Sequence, residues 1–143
     1  MNNKGFTLVE VLLTIAIFLI VGGLSSPFYA RFLIQNNVSN VVDQLSGQLR
    51  KAQIYSMMGR QNGSWGVTIN SGAIILYQGT SFVSRNSAFD ERFTLNPNIS
   101  ITGLSEINFT KVTGLPNDTP TITVSGNGTT KSITINSQGV VSK

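Results

Sequence analysis

Three patterns of apolar and polar positions follow one another along the chain. Residues 11–24 form an apolar run, and across residues 6–24 Glu10 is the only charged side chain. Read as an α-helix at 1.5 Å per residue, residues 6–24 reach about 28 Å, close to the hydrocarbon thickness of a bilayer. The pattern then turns amphipathic. Val38, Val42, Leu45, Leu49 and Ala52, with Tyr55 and Met58 beyond, recur at three- and four-residue steps, which predicts a helix continuing to about Met58. Asn40, Asp43, Ser46, Gln48 and Lys51 make up the opposite face. A stripe of this length predicts packing on a sheet, because a coiled coil needs a longer heptad pattern. Gly59 and Asn62-Gly63 supply the left-handed conformations that end helices and make turns.

From Trp65 onward β-formers alternate or cluster, at residues 65–69, 73–77, 99–101, 107–109, 121–124 and 132–135. Asn70-Ser71-Gly72 and Gly126-Asn127-Gly128 have the composition of hairpin connections, and Gln138-Gly139 leads into a short final strand at Val140-Val141. The predicted class is α+β: a long N-terminal helix, transmembrane in its first half and amphipathic in its second, packed on a C-terminal antiparallel β-sheet domain. The segments are a cytoplasmic leader at 1–5, a transmembrane helix at 6–27, its amphipathic continuation at 28–60 and an exported β-rich domain at 61–143. A helix kink is expected around Gly22, Gly23 and Pro27. Pro27 offers no amide hydrogen to the Gly23 carbonyl, and glycine costs about 1 kcal/mol in helix propensity relative to alanine.

Glu10 is the position that asks for an explanation. A central acidic side chain in a membrane helix costs roughly 2.5–3.5 kcal/mol, somewhat less near the interface, so a specific cationic partner is expected for it. Residues 6–24 contain no Lys or Arg to serve. An ordinary anchor whose Glu10 snorkels to the headgroups is the simpler alternative. A type II anchor fits the length and Lys4, yet leaves Gly5, Phe6 and Glu10 together without a reason. A secretory signal has a shorter apolar core and a small-residue cleavage site after it, whereas Ser25-Ser26-Pro27-Phe28-Tyr29-Ala30 follows this one. Every anchored reading keeps Lys4 cytoplasmic and exports the chain beyond Pro27, although Arg31 weakens the charge bias.

Gly5-Phe6-Thr7-Leu8-Val9-Glu10, with a short basic stretch before it, an apolar helix after it and Pro27 at the far end, resembles the class III signal of type IV prepilins and pseudopilins. The resemblance implies that a prepilin peptidase cuts between Gly5 and Phe6 and methylates the new N-terminal Phe6. It implies a pilin-like fold, a single-pass inner-membrane precursor, an inner-membrane assembly platform and other pilin or pseudopilin subunits as partners. Glycine suits such a cut, since it enters a protease cleft without a side-chain clash. The cut would create an amine on Phe6, and in a bundle of staggered helices the amine of one subunit can neutralise Glu10 of its neighbour. The helix-then-strands order, the passage Asn62-Gly63-Ser64-Trp65-Gly66-Val67 and the closing residues 133–140 resemble the GspH/FimT branch of minor pilins and pseudopilins.

Composition narrows the chemistry. The 143 residues include no cysteine and no histidine, which excludes disulfides, thiol nucleophiles, a Ser-His-Asp triad and the usual zinc sites. The net charge of +4 is dispersed and lacks the basic cluster of a dedicated polyanion binder. DNA is kept as an alternative partner, because some FimT-like subunits act in DNA uptake; Lys131 and Lys143 would be the contacts. Residues 126–131 look superficially like a phosphate loop but lack its Gly-Lys-Ser/Thr ending. Asp90, Glu91 and Asp118 are scattered acids without EF-hand spacing. The Asn-x-Ser/Thr triplets are what an Asn-, Ser- and Thr-rich chain produces by chance. No cofactor or metal is called for, and the chain is read as a substrate of enzymes, a filament subunit rather than an enzyme.

Overall fold

The computed structural model describes residues 5–126 and 128–143, without the side chains of residues 24–35. Met1–Lys4 of the expected leader, Asn127 of the second expected hairpin and the side chain of Pro27 lie outside the described residues. The chain divides into two units, Met1–Leu33 and Ile34–Lys143.

Helix α1 runs over Leu8–Met57. In the first unit its large apolar side chains are exposed all round, from Phe6 and Leu8 through Phe18 to Val21. A helix apolar on every side has no solvent-facing surface of its own and calls for apolar cover. Among the described residues, no helix is long and apolar enough to cross a membrane. The described side chains of this half stop at Gly23. From Leu8 that is about 24 Å of helix, short of the roughly 30 Å hydrocarbon layer.

In the second unit Val38, Val42, Leu45, Leu49 and Ala52 are buried, as their spacing predicts. The buried sector is wider than that stripe, taking in Val41, Ser46 and Ser56 as well. Ser46, expected on the polar face, is therefore inside. Met58 is 75% exposed and does not extend the stripe, because α1 stops at Met57 and Gly59 turns the chain at φ 61°. A short 3-10 turn at Arg60–Asn62 follows.

The strands are β1 (Trp65–Asn70), β2 (Ala73–Gln78), β3 (Asn86–Thr94), β4 (Ser100–Thr102), β5 (Glu106–Phe109), β6 (Thr121–Gly126), β7 (Thr129–Ile135) and β8 (Val141–Ser142). They form two four-stranded antiparallel sheets, β3-β2-β1-β5 and β4-β6-β7-β8, which together make up the antiparallel β-sheet domain that the sequence predicts. One core joins the helix stripe to both: Trp65, Val67, Leu76 and Phe109 from the first sheet, Ile122, Val124, Ile133 and Val141 from the second. Strand β3 is invisible to pattern reading. It is an edge strand, and only Phe89 and Phe93 among its nine residues pack against the core. The first hairpin is as expected. Asn70 pairs with Ala73 across Ser71 and Gly72, both at positive φ (49° and 68°), the two-residue turn whose twist matches that of the strands.

One buried serine ties the end of the helix to both of its neighbours. Ser56 Oγ accepts the Trp65 amide at 2.8 Å, fixing the first residue of β1, while the Ser56 carbonyl accepts the amides of Gly59 (3.0 Å) and Val112 (2.9 Å). The second of those bonds comes from a loop that holds Val112 at φ 73°, an uncommon value for a β-branched residue. Replacing Ser56 by alanine strands the buried Trp65 N–H and should destabilise the chain by about 1–3 kcal/mol. Leu45→Ala should cost about 2–5 kcal/mol by opening a cavity in the core. Denaturant unfolding of the full chain in detergent measures both; a neutral Ser56→Ala would mean that the hydroxyl is not what joins helix and sheet.

Candidate functional site

The sequence motif at residues 5–10 forms a local structure of its own. Thr7 precedes the first helical residue, Leu8, and Glu10 lies three positions beyond Thr7. Glu10 Oε2 accepts the Thr7 amide and the Thr7 hydroxyl, each at 2.9 Å, and Thr7 Oγ1 accepts the Glu10 amide at 3.3 Å. This is a capping box, in which side chains at both ends of the first turn satisfy backbone N–H groups that have no helical partner. The carboxylate also faces the positive end of the helix dipole. Sequence reasoning singled out Glu10 and passed over Thr7, although Thr-x-x-Glu directly ahead of an apolar run is a readable helix-start signal. Among the described residues, Glu10 Oε2 thus has two neutral donors and no cation.

Phe6 is 89% exposed, and an added Cβ at Gly5 would meet nothing within 4 Å. Together with Glu10, Val11, Leu13, Thr14 and Phe18, Phe6 lines an open, mainly apolar groove beside the capped turn. The Thr14 hydroxyl donates back to the carbonyls of Glu10 (3.0 Å) and Val11 (2.8 Å), so it is bonded within the helix. Nothing in the arrangement resembles a catalytic constellation. α1 continues as helix through Gly22 and Gly23.

Residues 1–26 match the family model described as the prokaryotic N-terminal methylation motif. The chain carries the N-terminal signal of the type IV prepilin and pseudopilin family. That match covers the capped turn and most of the apolar half of α1. No curated protein and no solved structure matches the chain. The match supports a pilin-like subunit that is processed and methylated. The long helix followed by antiparallel strands is consistent with a pilin-like α+β fold.

Elsewhere the acids are engaged. Asp90 pairs with Arg85 at 2.8 Å and Glu91 with Lys51 at 2.5 Å. Glu106 accepts the Tyr77 hydroxyl (2.6 Å) and the Phe82 amide (2.9 Å), and Asp118 accepts the Thr119 amide (2.8 Å). Burial and that bond to Glu106 raise the Tyr77 phenol well above its ordinary value. Among the described residues, no group of three or more acids could hold a metal ion. The glycine-rich residues 126–131 lead into β7 rather than a helix, with Gly126 paired to Thr129.

The structure brings Lys131 and Lys143 to one cleft of about 370 Å³, lined also by Ser39, Val42, Asp43, Thr130 and Ser132. Lys131 Nζ donates to Ser39 Oγ at 3.0 Å, and Lys143 forms an ion pair with Asp43. Lys143, first by its hydrogen bond and then by its charge, holds the Asp43 carboxyl below the usual range, and Lys131 adds a smaller effect of the same sign. A lowered folded-state value means that this contribution is present above the unfolded value near 3.9 and is lost as pH falls through the folded one. Below about pH 4, β8 should therefore exchange its amides faster than the adjoining strand β7. Hydrogen exchange measured across pH 2–6 and corrected for the intrinsic exchange rates tests this, and the remaining difference between β8 and β7 should lose its pH dependence in Lys143→Ala.

Proposed function

We propose that this chain is a structural subunit, a minor pilin or pseudopilin of the GspH/FimT type, in a type IV pilus or a type II secretion pseudopilus. In this reading it enters the inner membrane by the apolar half of α1, amino terminus in the cytoplasm and β domain exported. A prepilin peptidase cuts after Gly5, Phe6 is N-methylated, and the subunit passes through an assembly platform into an extracytoplasmic filament. The observation that carries the reading is the methylation-motif match at residues 1–26, on an apolar helix with a carboxylate in its first turn. Lipid first, and neighbouring helices afterwards, supply the apolar cover that the exposed side chains from Phe6 to Val21 require. In the filament the amine of one Phe6 offsets Glu10 of the next copy, which favours assembly in register. A bend at Gly22, Gly23 and Pro27, expected from the sequence, would belong to the same reading, as a place where the helix adjusts between membrane and filament.

Gly5→Val should leave full-length precursor in the membrane; mature protein beginning at Phe6 in that variant defeats the assignment. Glu10→Val should insert and be processed at the normal level but enter filaments about tenfold less, the loss expected for roughly 1.4 kcal/mol of assembly energy. Unchanged incorporation would show that charge neutralisation is not what registers the subunits. Mass spectrometry of the N-terminal peptide reads the first outcome and quantitation of sheared filaments the second.

A second reading, a DNA-binding subunit for uptake, is favoured only by the meeting of Lys131 and Lys143 in one cleft. Phosphate contacts make such binding steeply salt-dependent. A gel shift with the full chain in detergent that finds no binding at low salt removes it.

A further inference from the structure

The loop between β5 and β6 is strained, and the end of α1 holds it. Val112 has φ 73° and is 67% exposed, so a β-branched residue occupies the left-handed region with little burial to offset the strain. Such a backbone persists only where its surroundings over-determine it. Within the loop the Thr110 amide donates to the Leu115 carbonyl (2.9 Å) and the Gly114 amide to the Thr110 carbonyl (2.8 Å). The other holds come from Gln53, Ser56 and Met57 at the end of α1. Gln53 Nε2 donates to the Gly114 carbonyl at 3.1 Å, the Ser56 carbonyl accepts the Val112 amide at 2.9 Å, and the Met57 side chain lies against Gly114. That last contact is close. A Cβ built at Gly114 would stand 2.9 Å from the Met57 sulfur and 3.2 Å from Gln53 Cγ, so only glycine admits the thioether there. Of the three helix residues, Met57 carries the oxidisable atom. It is 52% exposed and its neighbour Met58 75%, so an oxidant in solution reaches both, yet Met58 enters none of these holds.

We propose that Met57 is an oxidation site that releases this loop, with hydrogen peroxide as the oxidant. A lone pair of the Met57 sulfur attacks one peroxide oxygen and the O–O bond breaks. The proton on the transferred oxygen leaves with the displaced hydroxide as water, so sulfur loses two electrons and the peroxide gains them. The product exchanges an apolar, flexible thioether for a polar sulfoxide that seeks water. Between Met57 and Gly114 there is already no space for a methyl group. The oxidised side chain therefore turns outward, the loop loses one of its holds, and Val112 relaxes to negative φ by giving up its bond to the Ser56 carbonyl. Reduction of the sulfoxide restores the contact, which makes the device reversible. Its effect is on the surface that Val112 and Leu115 present, and nothing in it depends on the filament reading.

The full chain in detergent is treated with hydrogen peroxide, and the sulfoxides are assigned by fragment mass spectrometry. Trypsin cutting at the Lys111–Val112 bond and exchange of the Val112 amide both report on the loop. In Met58→Leu, which leaves Met57 as the one methionine of the second unit, oxidation should speed both by about tenfold. Methionine sulfoxide reductase should then return them to their starting rates. In Met57→Leu, which keeps an apolar side chain against Gly114, the same dose should oxidise Met58 and leave both rates as they were in the untreated variant. Unchanged rates after oxidation of Met57 overturn the proposal, as does a Met57 that stays reduced at doses converting Met58, or a peroxide response that survives in Met57→Leu. Exchange in β6 and β7 is followed alongside. Loss of protection there as well would mean that oxidation unfolds the unit rather than releasing one loop, and would overturn it too.

Discussion

Burial of one face of α1 is the constraint on which the second unit depends. Two sheets of four strands, neither covered on its inner side without help, share a core only because Val38, Val42, Leu45, Leu49 and Ala52 are inserted into it. With no disulfide to staple it, the unit has packing and strand pairing as its means of holding together. Ser56 adds direction to that packing. Its hydroxyl and carbonyl bind the start of β1 and the loop that follows β5, so the helix end is registered against the first sheet by hydrogen bonds as well as by apolar contact.

At the other end of the same helix, a carboxylate in an apolar segment is made tolerable by local geometry. Thr7 and Glu10 exchange three hydrogen bonds across the first turn. The amide that Thr7 donates lies beyond the bond between Gly5 and Phe6, so removal of the leader would leave the cap whole. In the proposed mature subunit, Glu10 would therefore arrive at assembly already oriented, with a new amine nearby to be shared with or exchanged for that of another copy.

Much of this was legible in the residues. The stripe at residues 38–52, the stop at Gly59, the Ser71-Gly72 hairpin and seven strands follow from spacing and turn chemistry, and each is local. What escaped reading depends on tertiary partners. Strand β3, with Asn, Asp, Glu and Arg among its residues, is a strand only because β2 pairs with it. Ser46 and Ser56 look like surface positions and are buried because two sheets, rather than one, close around the helix. The split into two sheets could not be read because the pattern along each strand does not say which other strand it pairs with. At the signal the family resemblance drew attention to Gly5, Phe6 and Glu10, while the bond partner Thr7 needed only the capping rule.

The buried stripe also decides how the molecule bears load. A pull along α1 cannot be relieved by peeling one strand from a sheet edge, because the stripe contacts both sheets through a single core. It acts as shear on many side chains at once, the geometry in which weak contacts resist together. A subunit drawn out of a bilayer by its helix would bring its β domain along intact.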